Sequence, residues 1–567
     1  MFPKNIKEAI QKKSEIDSHS DCYVRSRLEA DGRSYTQIHG EGSGAFSARV
    51  YYPRIKKLQN GRYIMFHQDG RVSGNTFYTM SDDCVHWEKR IPIFTSYRTV
   101  RDDGEEDFIY YCNCDAQVMP DGEILAFCSY RYRSGYNLDA KYSGIVMKRS
   151  LDNAQSWTEE RTIYVGRNWE SAPLLLKSGD LQLYFSHTAP KFYYDKRVKT
   201  DAKIHTSSGS AIIRSFDNGN TWIPDVKEPP YAAHRVTQNY VEELEGGTKC
   251  FTNQMPVAVE LNCGDIALAT ESDMARGRFM LTMSYSHDNW ARALDIDEDG
   301  PEDKLAAFDW GAGPYIVQFP SGETLLSYNT MDQFHLRLGD SKGKNMDALR
   351  DIVALHGNPG YWGGLLVEGD HCVIAAMPLV REDRTTRPWT SDNDMMICRY
   401  YLNHKISAQK TDRAFSEDAW NECDVLFLGS ETDAQVCFGF MHDSEYLYLR
   451  IDRLDRTQGE GDCERVWIKL AGKKIKVSRT GNSVACDCDG ADMLAGSEMY
   501  LTSSNDTDDD TKWGCVSIIK IKLPSSESEC VSVCAEIDDD VAGEIKTSSF
   551  TGLSFEDEST WFEIELD

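Results

Sequence analysis

Two glutamates, Glu170 in Trp169-Glu170 and Glu271 in Ala269-Thr270-Glu271-Ser272, are the residues of this sequence best suited to do chemistry as a pair. Each adjoins an apolar, strand-like segment beside a tight turn, so both carboxyl groups could be aimed at one pocket. In such a pair, burial raises the pKa of one carboxyl so that it donates a proton, while the other stays ionised. The competing interpretation is a surface charge or an arginine partner, since most of the 91 Asp and Glu residues must be solvated.

Three further charged residues are candidates for binding a ligand. Two of them are arginines, Arg54 in Pro53-Arg54-Ile55 and Arg131 in Ser129-Tyr130-Arg131-Tyr132. The guanidinium group of an arginine can donate two parallel hydrogen bonds to hydroxyl or carboxylate groups. Asp115 is a candidate hydrogen-bond acceptor for the same ligand. The alternative role of the two arginines is an ion pair with Asp115, Glu170 or Glu271, and the sequence leaves both roles open.

Aromatic residues supply the remaining candidates. Trp169, Trp310 and Trp362 are possible stacking platforms for one face of a ligand ring, or apolar plugs between structural elements. Tyr361, in Gly360-Tyr361-Trp362-Gly363, could orient or polarise a neighbouring carboxylate, or could be a packing residue.

A repeated turn motif indicates which elements position these residues. Residues 215–222 match the pattern S-x-D-x-G-x-T-W at every defined position, residues 150–157 match with two substitutions, and residues 81–87 and 286–290 are eroded copies. The Asp accepts backbone hydrogen bonds, the Gly supplies a left-handed backbone angle and the Trp packs beneath the turn, so the motif is structural. The spacing of about 65 to 70 residues suits a four-stranded propeller blade.

A second repeat, a glycine turn between two strand-like segments, recurs independently of the first. It is found at residues 58–64, 119–125, 176–182, 261–267, 319–325 and, more weakly, 367–371. Each predicts the hairpin between the two inner strands of a blade, so the sequence predicts an all-β, six-bladed β-propeller. Ring closure requires a strand at residues 395–401 to complete the last blade with the N-terminal segment.

The repeats end near residue 402, and the sequence that follows has another character. Residues 434–451 read as two strands around a polar turn, and further strands are predicted at 465–470, 513–522, 531–536 and 560–566. We therefore predict two domains, a propeller over residues 1–402 with an N-terminal segment 1–40, and a C-terminal β-sandwich over residues 403–567.

Composition excludes several classes of partner. The formal net charge of −29 argues against nucleic acid and anionic membranes, because phosphate binding requires clustered Lys and Arg. No apolar run reaches the length of a membrane span, and the polar start of the chain predicts a cytoplasmic protein, or a secreted one if a leader has been removed. The 17 Cys have no metal-ligand spacing, so neither a metal nor another cofactor is predicted. The oligomeric state is left open.

The turn motifs resemble those of the sialidase-like propeller superfamily over residues 40–400. The segments between them, Tyr52-Pro53-Arg54-Ile55, Trp169-Glu170, Ala269-Thr270-Glu271-Ser272 and Gly311-Ala312-Gly313-Pro314, resemble in their order the exo-α-1,5-L-arabinanases of glycoside hydrolase family 93. This resemblance implies an exo-acting, retaining glycosidase for arabinan-type oligosaccharides, with Glu170 as acid/base and Glu271 as nucleophile. Retention would require carboxyl groups about 5 to 5.5 Å apart.

Other functions remain open. A sialidase resembles this chain in its turn motifs and in Arg54, but it would open with Arg-Ile-Pro, whereas this sequence has Pro53-Arg54-Ile55. A non-catalytic glycan-binding propeller or a protein-interaction scaffold would keep the same fold. The C-terminal stretch around Ala434-Gln435 and His442 to Tyr448 resembles a carbohydrate-binding module of family 9, which implies a second sugar-binding surface.

Overall fold

The structure is a computed structural model of the 567-residue chain. It describes residues 27–40, 44–70, 74–187, 209–224, 233–238, 253–273, 279–291, 294–295, 304–308, 311–330, 333–344, 346, 351–356, 362–369, 372–380, 392–403, 406–414, 416–420, 423, 425–429, 434–455, 459–470, 473–481, 483–487, 491–493, 498–503, 511–523, 530–549, 555 and 561–566.

The described chain up to residue 403 forms six β-sheets. Their strands are β1 (Arg27–His39), β2 (Val50–Lys57), β3 (Tyr63–Asp69), β4 (Asn75–Ser81), β5 (Ile91–Thr95), β6 (Tyr97–Val100), β7 (Glu106–Val118), β8 (Ile124–Tyr132), β9 (Ser143–Ser150), β10 (Arg161–Val165), β11 (Asn168–Leu175), β12 (Leu181–His187), β13 (Gly209–Ser215), β14 (His234–Gln238), β15 (Gln254–Glu260), β16 (Ile266–Asp273), β17 (Phe279–Ser286), β18 (Leu294–Asp295), β19 (Lys304–Phe308), β20 (Ala312–Gln318), β21 (Thr324–Asn329), β22 (Gln333–Gly339), β23 (Asp351–His356), β24 (Gly364–Glu368), β25 (Cys372–Val380) and β26 (Asn393–Asn403). Short 3₁₀ helices cover Gly135–Asn137 and Ala140–Tyr142.

Each sheet is one blade of a closed ring. The strand orders are β2-β3-β4-β5, β6-β7-β8-β9-β10, β11-β12-β13-β14-β18, β15-β16-β17-β19, β20-β21-β22-β23 and β24-β25-β26-β1. The inner strands β2, β7, β11, β15, β20 and β24 contact one another in this cyclic order, and β24 returns to β2. The predicted six-bladed propeller is therefore confirmed.

The two ends of the propeller meet in the last blade, as the sequence predicts. β1 is the outer strand of this blade and pairs antiparallel with β26, from Arg27 opposite Asn403 to His39 opposite Asp394. The Gln37 side chain donates to Asp394 at 2.9 Å, and His39 lies 2.9 Å from the same carboxylate. The ring is thus closed by hydrogen bonds between distant parts of the chain.

All six predicted glycine turns join an inner strand to the second strand of its blade. Their glycines, Gly61, Gly122, Gly179, Gly264, Gly322 and Gly369, have φ between 66° and 119°. An L-residue with a side chain rarely adopts this backbone angle, so glycine fits the position. The blades are therefore marked by a residue that each hairpin requires for conformational reasons.

The S-x-D turns follow the third strand of their blades. In the complete copy, the Ser215 hydroxyl accepts a hydrogen bond from Gly219 N at 2.7 Å, and Asp217 Oδ1 accepts one from Thr221 N at 2.7 Å. Trp222 is 5% exposed and closes the underside of the turn. The structure places these residues as the sequence predicts, in a structural role.

Replacing Asp217 with alanine should lower the free energy of unfolding by about 1–2 kcal/mol, since the carboxylate holds both the backbone and the hydroxyl of Thr221. Urea unfolding of the variant measures the loss. Phe216→Ala is the matched control, because Phe216 is 64% exposed in the same turn and should change stability by less than about 0.5 kcal/mol. Equal effects of the two substitutions would contradict the role of the carboxylate.

The chain beyond residue 403 forms a separate set of strands. They are β27 (Ile406–Lys410), β28 (Val425–Gly429), β29 (Gln435–His442), β30 (Tyr446–Asp455), β31 (Cys463–Leu470), β32 (Lys473–Thr480), β33 (Ser483–Cys486), β34 (Ala491–Met493), β35 (Glu498–Ser503), β36 (Thr511–Lys522), β37 (Cys530–Val541), β38 (Glu544–Ser549) and β39 (Phe562–Leu566). A 3₁₀ helix covers Glu417–Trp420.

These strands form a β-sandwich around one apolar core. One sheet has the order β33-β32-β31-β37-β39, and the other contains β29-β30-β36-β34. β27 pairs with β39 through Ile406 to Ala408 and with β29 through Gln409 and Lys410, so it belongs to both sheets. The predicted sandwich is confirmed, whereas the domain division at residue 402 and the likeness to a family 9 module stay predictions.

A buried charge network joins the strands of the sandwich. Arg453 is 1% exposed and donates to Asp455 at 2.7 Å and to Glu464 at 2.9 Å, and its Nη2 lies 3.1 Å from Asp462. Arg479 donates to the second oxygen of Glu464 at 2.6 Å. The Arg453 guanidinium thus lies among several carboxylates and compensates their charge.

Two further properties concern the described residues alone. The cysteines that can be described are free thiols. Within the described ranges, no helix has both the length and the apolar character needed to cross a membrane.

Candidate active site

The inner strands share a backbone irregularity that shapes the centre of the propeller. Five of them carry a β-bulge, and all six blades have a residue with left-handed φ at this place. These residues are Tyr52 (54°), Asn113 (56°), Glu170 (52°), Met255 (50°), Gly313 (62°) and Trp362 (65°). A bulge inserts one extra residue and re-aims its side chain. We call these six residues the bulge ring.

A second set of residues holds the bulges in place. The backbone N–H of a bulge residue donates to a side chain on the second strand of the preceding blade. The observed pairs are Asn113 N to Gln68 at 2.7 Å, Met255 N to Ser186 at 2.9 Å, Gly313 N to Glu271 at 2.6 Å and Trp362 N to Asn329 at 3.3 Å. We call Gln68, Ser186, Glu271 and Asn329 the cap residues. Their side chains satisfy backbone groups that the bulge removes from the ladder.

Of the two predicted glutamates, Glu170 belongs to the bulge ring and Glu271 is one of the cap residues. Glu170 lies nine residues before its turn glycine Gly179, and Glu271 lies seven residues after Gly264. At the corresponding positions, the other blades carry Tyr, Asn, Met, Gly and Trp in the bulge ring, and neutral Gln, Ser or Asn as caps. The repeat therefore requires a carboxylate at neither position.

Four members of the bulge ring line one pocket. The residues around it are Tyr52, Arg54, Asn113, Cys114, Glu170, Ser171, Ala172, Met255, Pro256 and Val257. They come from β2, β7, β11 and β15, so the pocket lies where four inner strands converge. The empty space between these residues is about 280 Å³ when the solvent in its open mouth is counted.

Glu170 has the environment of a proton donor. It keeps part of its surface open to the pocket, yet protein atoms surround its carboxyl group, and this desolvation raises its pKa above the usual value. A hydrogen bond from Ser186 at 2.7 Å, the charge of Arg131, the backbone N–H of Met255 and the charge of Arg54 lower the pKa without reversing the shift. Burial therefore favours the protonated form of Glu170 relative to a free glutamate.

Glu271 has a different environment. It is 8% exposed, and its Oε2 accepts the 2.6 Å hydrogen bond from Gly313 N. A hydrogen bond from a backbone N–H to a carboxyl group is strongest when the carboxyl is ionised. Glycine suits position 313, because its φ of 62° is left-handed and an added Cβ would lie only 3.1 Å from Trp362 and 3.3 Å from Asn329.

The Tyr52 phenol is affected by the charges of both glutamates. Its ring is 3% exposed and stacks on Trp362 at 4.4 Å between centroids, with 6° between the planes. Burial raises the pKa of its phenol well above the ordinary value, and the charges of Glu170 and Glu271 raise it further. Both carboxylates thus lie within electrostatic range of the same buried phenol, and of the two only Glu170 is among the described residues that line the pocket.

Arg54 lies in the wall of the pocket and holds two blades together. Its Nη1 donates to the carbonyl oxygens of Pro53, Trp362 and Gly363 at 2.9, 3.2 and 3.0 Å. Its Nε lies 3.9 Å from Asp115, which is one of the ion pairs left open by the sequence. These contacts give Arg54 a structural function, and its predicted contact with a ligand stays a prediction.

Asp115 lies at the joint between the first two blades. Its carboxylate is 2.9 Å from Lys56 Nζ and accepts a hydrogen bond from Ala116 N at 2.7 Å. The residue is 2% exposed. Asp115 is thus committed to Lys56 and Arg54, and its role in substrate binding stays a prediction.

Arg131 and Trp169 form a stacked pair next to Glu170. The guanidinium lies 3.3 Å from the centroid of the Trp169 ring and 4.8 Å from that of Tyr136, and its Nη2 is 3.3 Å from the Cys112 sulfur. One face of Trp169 is therefore covered by Arg131, as one face of Trp362 is covered by Tyr52. The predicted Tyr361 and Trp310 lie outside the described residues.

Tyr52, Asn113 and Met255 are pocket residues that the sequence prediction did not include. The signal that identifies them is their distance from the turn glycine, since Tyr52 precedes Gly61 by nine residues and Asn113 precedes Gly122 by the same number. Proline directly after Tyr52, Met255 and Gly313 is a second signal, because proline lacks a backbone N–H and is tolerated at bulges.

Comparisons with known proteins complete the description. No protein-family model matches the sequence, and no curated protein matches it. Similar solved structures include a protein of unknown function from Dyadobacter fermentans, with a TM-score of 0.47 and 14% identity over 67% of this chain and 100% of that one. A family 93 α-L-arabinofuranosidase of Fusarium graminearum in complex with arabinobiose has a TM-score of 0.42 and 13% identity over 64% and 96% of the chains. Trypanosoma rangeli sialidase in complex with difluorosialic acid has a TM-score of 0.41 and 10% identity over 93% and 96%.

Proposed function

We propose that this protein is a retaining glycoside hydrolase, with Glu170 as acid/base and Glu271 as nucleophile. The observation that carries the proposal is the pair of carboxylates at two repeat positions where the other blades use neutral residues. Burial raises the pKa of Glu170, as an acid/base residue requires, and the carboxyl group of Glu271 accepts a hydrogen bond from the backbone N–H of Gly313, which suits a carboxylate.

The reaction follows from these two roles. Glu170 donates its proton to the glycosidic oxygen as the bond from that oxygen to the anomeric carbon breaks, while the Glu271 carboxylate forms a bond to the same carbon. Glu170, now ionised, then takes a proton from a water molecule. The water oxygen replaces Glu271 on the anomeric carbon, so the sugar leaves with its original configuration and both glutamates return to their starting states.

A neutral sugar suits the described pocket better than an anionic one. Three described arginines lie around Glu170: Arg54 binds three carbonyl oxygens, Arg131 lies against the face of Trp169, and Arg167 lies 4.8 Å from the ring centroid of Tyr136. A sialic acid carboxylate would have to compete with these contacts for a guanidinium. Together with the likeness of the inner-strand segments to exo-arabinanases, this favours the terminal sugar of an arabinan-type oligosaccharide, held in a pocket of limited volume.

The proposal is tested by assaying the purified full chain on aryl α-L-arabinofuranoside, arabino-oligosaccharides and an aryl sialoside. We expect hydrolysis of the first two, release of single sugars, and a first-formed product with retained anomeric configuration by NMR. Activity should fall at high pH, when Glu170 loses its proton, and the raised pKa of Glu170 moves this limb to higher pH.

Two outcomes would contradict the proposal. Cleavage of the sialoside alone would make the protein a sialidase. Binding of sugars on a glycan array without hydrolysis of any substrate would make it a non-catalytic glycan-binding propeller.

A further inference from the structure

Asn113 is a member of the bulge ring, and the hydrogen bonding of its side-chain amide is unusual. It is 4% exposed and lies in the lining of the pocket beside Tyr52 and Glu170. Within the described part of the chain, neither Nδ2 nor Oδ1 has a partner that meets hydrogen-bond geometry. Its carboxamide lies close enough to the Tyr52 hydroxyl to lower the pKa of that phenol.

The backbone of Asn113 is fixed on both sides. Its N–H donates to Gln68 of the first blade at 2.7 Å, and its carbonyl accepts from Ser171 of the third blade at 3.2 Å. The left-handed φ of 56° suits asparagine, which tolerates this conformation better than most residues. The scaffold thus holds the backbone without using the side-chain amide.

A buried carboxamide whose only polar neighbour is one phenol hydroxyl in poor hydrogen-bond geometry is unusual, because the desolvation of its nitrogen and oxygen is then poorly compensated. The amide offers two donors and a carbonyl acceptor, which match two neighbouring hydroxyl groups of a sugar ring. A hydroxyl can accept from Nδ2 while the next one donates to Oδ1. A carboxylate ligand would satisfy Nδ2 alone and leave Oδ1 without a donor.

We propose that Asn113 is a specificity-determining residue that binds two adjacent ring hydroxyl groups of the sugar in this pocket. The inference rests on the proposed function for the identity of the sugar, and it selects neutral sugars with a free vicinal diol. Its position next to Glu170 places this contact on the ring that is cleaved. A sugar without one of the two hydroxyls would leave half of the amide unpaired.

The test is calorimetric titration with arabinobiose, using full-length protein that carries Glu170→Gln so that the ligand is not consumed. Adding Asn113→Gly, which keeps the left-handed backbone accessible, should weaken binding about 10- to 100-fold. The loss of affinity should be clearly smaller for a deoxy analogue that lacks one of the contacted hydroxyls, because only one contact with Asn113 remains to be removed. Asn153→Gly is the matched control, because Asn153 has the same φ of 56° in a turn of the second blade away from the pocket lining.

Each outcome decides the inference. The inference is overturned if the proteins with and without Asn113 bind arabinobiose with equal affinity. It is also overturned if Asn113→Gly weakens the binding of arabinobiose and of every deoxy analogue by the same factor, or if the protein with Asn113 intact binds no arabinobiose. Unfolding curves of the Asn113 and Asn153 variants exclude a loss of fold as the cause. If sugar binding depends on Asn113 but the wild-type protein hydrolyses no glycoside, the Asn113 inference stands and the proposed hydrolase function is wrong.

Discussion

The Glu271→Gln variant should lose at least about 10,000-fold in kcat for glycosides while folding as the wild type does. The amide cannot form the bond to the anomeric carbon, and loss of a nucleophile removes the covalent route. Its carbonyl oxygen can still accept the hydrogen bond from Gly313 N. Gln68 caps the bulge at Asn113 in the same way, so the repeat already contains the residue that this substitution introduces.

Two measurements separate catalysis from structure in this variant. Its urea unfolding midpoint should match that of the wild type, and Glu159→Gln, at an exposed position, should leave both activity and stability unchanged. Wild-type activity in Glu271→Gln would show that Glu271 is only a cap residue. A large loss of stability would show that the carboxylate is needed for the fold.

The Arg453→Met variant should lower the free energy of unfolding of the sandwich by about 3–5 kcal/mol, because removal of one partner leaves buried carboxylates without a compensating charge. Arg453 binds Asp455 and Glu464 and lies beside Asp462. Thermal and urea unfolding measure the effect. Arg465→Met is the matched control, since Arg465 is 21% exposed and its pairs with Glu536 and Asp538 should contribute about 1 kcal/mol or less.

The effect of Arg453→Met should depend on pH in a defined direction. The arginines Arg479 and Arg453 hold the pKa of Glu464 below its usual value against the opposing effect of burial, so Glu464 stabilises the fold above its unfolded pKa. This contribution is lost as the pH falls through the lowered pKa. The difference between wild type and variant should therefore shrink in acid. A difference below about 1 kcal/mol at neutral pH, or one that grows in acid, would contradict this account of the network.

The propeller could be predicted from sequence because its signals are local. Gly61, Gly179 and Gly322 are required by the backbone angle of a tight turn, and that requirement acts within a few residues. The turn around Asp217 is likewise closed by contacts within residues 215–222. Repetition of these short signals gave the number of blades without any knowledge of long-range contacts.

The centre of the propeller was harder to predict, because its contacts join distant parts of the chain. Arg54 binds the carbonyl oxygens of Trp362 and Gly363, which lie more than 300 residues later, and a sequence pattern contains no information on that pairing. Arg453 in the sandwich also has such a distant contact, a hydrogen bond of 3.0 Å to the carbonyl oxygen of Asp538, 85 residues later. Asn113 lines the pocket because of its place in the bulge ring, which the sequence prediction did not include.

The measurement that tests the central claim most directly is a crystal structure of the Glu271→Gln variant soaked with arabinobiose. We expect the anomeric carbon of one sugar between the two side chains, with the Glu170 carboxyl next to the glycosidic oxygen and the side chain at position 271 against the opposite face of the ring. The carboxyl carbon of Glu170 should lie about 5 to 5.5 Å from the corresponding atom at position 271. A sugar bound away from these residues, or side chains too far apart to contact one ring, would contradict the account.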